Sequence, residues 1–288
     1  MGMSINTNLS ALNTYRNLNA TQNDLSKSLE KLSTGLRINR AADDAAGLTI
    51  SEGLKSQVGG LTVAARNAQD GISVVQTAEG GLTETHSILQ RMRDLAVQAG
   101  NDSNNATSRE AITTEVGQLQ EELTRISSST NFNGINLLDG KAGAATDGKM
   151  VFQVGANSGA SSQITVDLGT ANVATVATNL TLGDGTGKTI NFDNNTNAQD
   201  AIDKIDAEIK YVSSARSELG AVQNRFDHAI NVTNVAKENL TAAGSRITDV
   251  DMAQEMVKYT RDNILSQAGT SMLAQANQST QGVLSLLR

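Results

Sequence analysis

The chain has 288 residues and a formal net charge of −7, from 23 Lys+Arg against 30 Asp+Glu, and it contains no Cys, Pro or Trp. Without cysteine it has no disulfides, thiolate metal sites or cysteine nucleophiles. The acidic balance supplies no concentrated basic patch for nucleic acid, and 4 Phe with 3 Tyr are few for a closed ligand pocket.

Average proline usage predicts about fourteen prolines in a chain of this length. Their absence points to long uninterrupted helices. The first sixty residues hold no apolar run of the kind a cleaved secretory signal needs. No stretch approaches the about 18 apolar residues of a membrane span, so no membrane insertion is expected.

The first element is a helix. Ala11, Tyr15, Leu18, Leu25, Leu29, Leu32 and Leu36 fall on one 4-3 repeat, with Gln22 as its polar member, the seam of a coiled coil. Burial of these few leucines falls short of the entropy lost by ordering the segment. It therefore needs a partner: the C-terminal helix, neighbouring copies, or both. Termini of this kind are expected to be weakly ordered in a lone molecule and helical in an assembly.

A second helical segment carries Leu54, Val58, Leu61, Ala65, Ala68, Ile72 and Val75, then slips by one to Ile88, Met92, Leu95 and Ala99. A third carries Ile112, Val116, Leu119, Leu123 and Ile126, preceded by Thr107 and Glu110 at capping-box spacing.

Residues 140–197 differ in kind, being rich in Gly, Asn, Thr, Ser and Asp. Short runs at 151–154, 164–168 and 189–192 alternate like strands between turn signals. Asn133-Gly134 and Asp139-Gly140 mark the passage from helix to loop. A fourth helix follows Thr196 and Gln199, again at box spacing, with Ile202, Ile205, Ile209, Val212, Leu219, Phe226, Ile230 and Leu240. The last segment, Leu265, Ala268, Met272, Ala276, Val283 and Leu287, has a period nearer 3.6. Leu265, Ala276 and Leu287 stand eleven apart, so a nearly straight helix is expected. The fold class is mainly α, with long terminal helices pairing as a coiled coil and a helical bundle bearing a small β-hairpin region at the centre.

Candidate chemistry is sparse, and no catalytic, cofactor or metal site is expected. Gly183-Asp184-Gly185-Thr186-Gly187-Lys188-Thr189 has the look of a phosphate loop, but Leu182 occupies the first glycine position and the sequence after it alternates like a strand. Asp193, Asn195 and Asn197 have the spacing of calcium ligands, but Ala198 and Lys204 stand where Gly and Glu belong. His86 and His228 lack a second ligand at metal spacing. Asp43-Asp44 and Asp249/Asp251 lie near helix ends, where acids act as caps. Gln90-Arg91-Met92-Arg93-Asp94 reads as a solvated face with local ion pairs; the alternative is an interaction surface, Arg flanked by apolar Met92 and Leu95.

Longer strings carry a resemblance. Ile5-Asn6-Thr7-Asn8, residues 29–39 (LEKLSTGLRIN), residues 41–48 (AADDAAGL), Gln90-Arg91, residues 95–98 (LAVQ), Phe132-Asn133-Gly134, residues 153–157 (QVGAN), Ser245-Arg246-Ile247, residues 267–277 (QAGTSMLAQAN) and residues 283–288 (VLSLLR) resemble bacterial flagellin over both terminal thirds. The resemblance implies a short form without separate outer domains. In it, 1–47 with 248–288 would form the filament core, and 48–247 a helical bundle that includes the β-rich 140–197. It implies a subunit that self-assembles into the extracellular filament used for swimming, exported without a cleaved signal. The partners implied are copies of itself, an export chaperone, the filament cap, hook-associated proteins and the Toll-like flagellin receptor of animals. Arg91, Leu95 and Glu115 map to the receptor-recognition and subunit-contact patch, with Asp94 where the family often has Glu. Leu18, Leu25, Leu29, Leu32, Leu36, Leu265, Met272, Leu284, Leu286 and Leu287 are the expected assembly seam. Rival readings are a hook–filament junction protein, a flagellin with an inserted enzyme, and a secreted coiled-coil adhesin or effector.

Overall fold

A computed structural model describes residues 8–183 and 190–286, with side chains through 278. Its helices are α1 (Leu9–Thr34), α2 (Ala45–Ala99), α3 (Ala106–Ser129), α4 (Val173–Asn179), α5 (Asn195–Thr248) and α6 (Met252–Leu286). Its strands are β1 (Asn131–Phe132), β2 (Ile135–Asn136), β3 (Lys149–Gln153) and β4 (Gln163–Asp167). The architecture is mainly α with a small β region. No helix among the described residues is long and apolar enough to cross a membrane.

Helix ends are set by local chemistry. Gly35 closes α1 in the left-handed conformation, φ 73°, and its N–H bonds the Lys31 carbonyl at 2.8 Å, a stop that only Gly adopts without strain. α3 is capped by Asn105, whose side chain accepts from the Ser108 N–H, not by the expected Thr107. At α5 the Asn194 carboxamide accepts the Asn197 N–H at 2.8 Å, ahead of the expected Thr196. Asn ranks with Ser and above Thr at this position, and in both helices it lies two residues before the expected Thr.

The chain divides into two compact units, Met1–Ser56 with Asn239–Arg288, and Gln57–Glu238. In the first, α1 and α6 pack side by side. Contacts Leu18–Gly269, Ser28–Glu255 and Asn8–Ala276 run in opposite chain directions, so the pair is antiparallel. Where α1 ends, the Arg37 N–H meets the Thr248 carbonyl at 2.6 Å and the Val250 N–H meets the Gly35 carbonyl at 3.0 Å.

The second unit holds one apolar core. On α2, Ala64, Ala68, Gly71, Val75, Ala78, Leu82, Thr85, Leu89, Met92, Ala96 and Ala99 are buried in an unbroken 4-3 repeat. The expected slip near residue 80 does not occur, because small residues (Gly71, Ala78, Thr85) carry the seam where the large apolar ones lapse. On α5 the buried line is Ala198, Ala201, Ile205, Val212, Ala215, Leu219, Val222 and Phe226. α3 buries Ile112, Val116, Leu123 and Ile126, with Leu119 packed at the margin, as its spacing predicts.

The β region is smaller and more mixed than its composition implies. β3 and β4 pair antiparallel from Lys149↔Asp167 to Gln153↔Gln163. Phe152 meets Phe226 edge-on, ring centroids 5.5 Å apart at 88°. The Asn133-Gly134 dipeptide, with φ of 52° and 79°, closes a separate short hairpin, β1–β2, as Asn-Gly turns favour. The third expected strand is a single bridge, Leu182↔Ile190, and helix α4 lies within the segment expected to be β-rich.

Candidate assembly and recognition surfaces

The first candidate surface is the α1/α6 pair. The least exposed line of α1 is Ala11, Thr14, Leu18, Thr21, Leu25, Ser28 and Leu32; that of α6 is Glu255, Tyr259, Asp262, Ser266, Gly269, Leu273 and Ala276. Both follow a 3-4 repeat, so α6 is a heptad helix here, not the expected eleven-residue one. The α1 line shares Leu18, Leu25 and Leu32 with the expected seam but replaces Tyr15, Gln22 and Leu29 by Thr14, Thr21 and Ser28. Tyr15 and Leu29 are each 54% exposed, Leu265 50% and Met272 60%. Leu36 forms the bridge to Asp249 instead of continuing the seam.

Close approach explains the choice of line. A Cβ added to Gly269 would lie 3.2 Å from Leu18 Cδ1, so at this point the absence of a side chain on α6 makes room for a leucine of α1. Within it, the Ser28 hydroxyl donates to the Glu255 carboxylate at 2.5 Å, and Asp262 is 8% exposed. Apolar residues are left outside: Leu9, Leu12, Tyr15 and Leu29 on α1, and Met256, Val257, Ile264 and Leu265 on α6. Leu18, Leu265 and Met272 line a groove along the pair with Thr14 and Thr21. Leu284 and Leu286 lie in the last turns of α6, where side chains are not described, and Leu287 lies outside the described residues.

The second candidate surface is on α2 and α3. Arg91 Nη2 and Nε both donate to Glu115 Oε1, at 2.6 and 2.9 Å, and the two side chains are 57% and 42% exposed. Gln90, Asp94 and Val97 are exposed beside them. Leu95 is not on this surface. It is 2% exposed and Met92 is fully buried, because both belong to the core side of α2, so the expected apolar flank is absent. Arg93, two residues on, turns to Asp206 of α5 at 2.6 Å. That hydrogen bond raises the guanidinium pKa. Asp206 went unnoticed in the sequence, since its partner lies 113 residues away.

The acidic pairs act as caps and clasps. Asp44 Oδ1 accepts the Gly47 N–H at the start of α2, and Asp251 Oδ1 accepts the N–H groups of Ala253 and Gln254 at the start of α6. Asp43 accepts from the Asn39 and Arg40 N–H groups, and those backbone bonds, Arg40 first, hold its carboxyl below its ordinary pKa. The calcium-like run is a helix entry: the Asp193 N–H bonds the Asn191 side chain, and Asn195 reaches the Gly100 carbonyl. Residues 184–189 of the phosphate-like loop lie outside the described residues.

Comparison with known proteins agrees along the chain. Residues 5–143 match the family model for the bacterial flagellin N-terminal helical region, and residues 202–287 match that for the bacterial flagellin C-terminal helical region. The chain is 52% identical over 286 residues to a flagellin of Halalkalibacterium halodurans, covering 99% of this chain and 100% of that protein. It is 47% identical over 291 residues to the flagellar filament 33 kDa core protein of Treponema phagedenis, covering 99% and 100%. The crystal structure of Bacillus cereus flagellin gives a TM-score of 0.48 at 32% identity, covering 58% of this chain and 88% of that one.

Proposed function

The chain belongs to the bacterial flagellin family, and from that premise we propose that it polymerises through the residues its terminal helix pair leaves uncovered. A flagellin is a structural protein of motility, the subunit of the extracellular flagellar filament. Subunits stack through heterologous contacts whose rotation does not close a ring, which yields an open helical polymer. The observation that carries the mechanism is the mixed character of the α1/α6 pair, whose covered lines carry polar residues among Leu18, Leu25, Leu32 and Leu273. Thr14, Thr21, Ser28, Glu255, Asp262 and Ser266 lie along its covered lines, while Leu29, Val257, Ile264 and Leu265 stay exposed. Such a pair gains little from apolar burial by itself, and neighbouring copies supply the missing contacts. We assign 1–47 with 248–288 to the filament core and 48–247 to the bundle on that basis.

Seeded polymerisation tests this. Leu29→Asp combined with Leu265→Asp changes two residues that are at least half exposed, so monomer stability should move by less than about 0.5 kcal/mol per site. Filament growth on seeds, followed by sedimentation and microscopy, should be lost. Normal filaments from that variant would overturn the mechanism. Deleting Leu284 to Arg288 should also stop growth, since these residues resemble the family's apolar terminus. The same terminus is the proposed site for the export chaperone, with the filament cap and hook-associated proteins as further partners of the terminal unit.

A second reading concerns the Arg91–Glu115 pair, proposed as the point of contact for an animal Toll-like flagellin receptor and for neighbouring subunits. Its support is exposure together with a fixed guanidinium geometry. Leu95, buried in the core, stands outside this contact.

A further inference from the structure

We propose that Met252, Met256 and Met272 are oxidation sites whose conversion to sulfoxide reversibly disables filament growth, an inference that rests on the assembly reading above. The distribution of methionines on α6 is the starting observation. Met252, Met256 and Met272 are 48%, 49% and 60% exposed, whereas Met92 on α2 is fully buried in the bundle core and Met150 is half-buried on β3. Met272 lines the groove beside α1 with Leu18 and Leu265. Met256 stands with Val257 and Ile264 on another part of the helix surface. The exposed thioethers are thus part of the apolar surface that a neighbouring copy would cover, and solvent reaches them only before it does.

The chemistry needs a peroxide and nothing from the protein. The thioether sulfur attacks one oxygen of hydrogen peroxide, the O–O bond breaks as an S–O bond forms, and the displaced oxygen leaves as water. Sulfur loses two electrons and peroxide gains them. The product is a polar, chiral sulfoxide in place of a flexible apolar side chain, and thiol-dependent methionine sulfoxide reductases reverse it. An apolar contact that must bury a sulfoxide without a hydrogen-bond partner weakens by about tenfold per site.

The test treats the full-length monomer with hydrogen peroxide and follows two readouts. Peptide mass spectrometry should find Met252, Met256 and Met272 oxidised well before Met92 and Met150. Equal rates at Met92 would overturn the site assignment. Seeded growth of the oxidised chain should fall by about tenfold or more and return after treatment with the two stereospecific reductases and a dithiol. Undiminished growth would overturn the switch. A Met252→Leu, Met256→Leu, Met272→Leu variant, close in volume and apolar character, should grow on seeds equally with and without peroxide. Loss of its growth after peroxide would place the sensitive groups elsewhere and overturn the proposal. If the untreated chain does not grow on seeds, the assembly reading itself falls, and the switch falls with it; the mass-spectrometric arm still decides site selectivity separately.

Discussion

At the residue scale, two opposing magnitudes meet at Gly71. In a helix interior, Gly→Ala gains about 1 kcal/mol from propensity. Here the added Cβ would stand 2.6 Å from Phe226 Cζ, a rigid ring already held edge-on by Phe152, and overpacking of this kind costs about 1–3 kcal/mol. Gly71→Ala should therefore lower stability in urea denaturation despite its better helix propensity, and Gly71→Ala with Phe226→Leu should recover part of the loss. The Arg91–Glu115 pair lies at the other extreme: an exposed ion pair adds less than about 1 kcal/mol. Arg91→Ala should leave the denaturation midpoint unchanged and weaken binding to the receptor ectodomain in a direct titration; unchanged affinity would remove that reading. Asp43 sets a pH dependence. Its folded pKa lies below the ordinary 3.8, so its bonds to the Asn39 and Arg40 N–H groups are intact above that value. They are lost as pH falls through the lower, folded one. The amide resonances of Asn39 and Arg40 should titrate together in that acidic window, and Asp43→Asn should abolish the transition.

At the element scale, legibility depended on which residues carry the seam. α3 buries Ile112, Val116, Leu123 and Ile126, all large, and its stripe was plain in the sequence. α2 buries a strict repeat in which Gly71, Ala78, Thr85 and Ala96 alternate with Val75, Leu82, Leu89 and Met92. A search for large apolar residues loses that register and finds a false slip. The same search on α1 selected Tyr15 and Leu29, the side chains the pair excludes, because Thr14, Thr21 and Ser28 alternate with the leucines on the covered line. Asn caps were missed for a related reason: Thr107 and Thr196 completed a familiar spacing, while Asn105 and Asn194 already accept N–H groups of the first turn, from Ser108 and Asn197. One prediction belongs here. Replacing Thr14 and Thr21 by Val should stabilise the α1/α6 pair in the monomer by about 1 kcal/mol in all, seen as added helix signal in far-UV circular dichroism. No gain would mean that their hydroxyl bonds to Ser10 and Asn17 outweigh the added burial.

At the scale of the whole molecule, long strings at both termini identified the family, whereas the centre had to be folded to be understood. Residues 140–197 have the composition of strands and turns, yet Val173, Val176 and Ala177 enter the core from helix α4. Seven residues are too few for helical periodicity to stand out from a short apolar run. The bundle unit, Gln57–Glu238, contains a closed core drawn from α2, α3, α4, α5 and β4. A fragment spanning 57–238 should accordingly unfold cooperatively in denaturant without the terminal pair, and a featureless unfolding curve would contradict this.

The order in which contacts become available follows from the terminal pair. Ser28 finds Glu255 across 227 positions of chain, and Asn8 finds Ala276 across 268. In an unfolded polymer those ends meet only against the full entropy of closing that loop. Once the intervening 57–238 has condensed, most of that entropy has already been lost. The pair is therefore the last contact to form as the chain folds, and α1 waits unpartnered until the segment between it and α6 has condensed. Refolding should show this as a late phase that separates α1/α6 docking from collapse of the bundle. During that interval α1 of one molecule is open to α6 of another before it closes on its own, so refolding at high concentration should favour exchanged pairs.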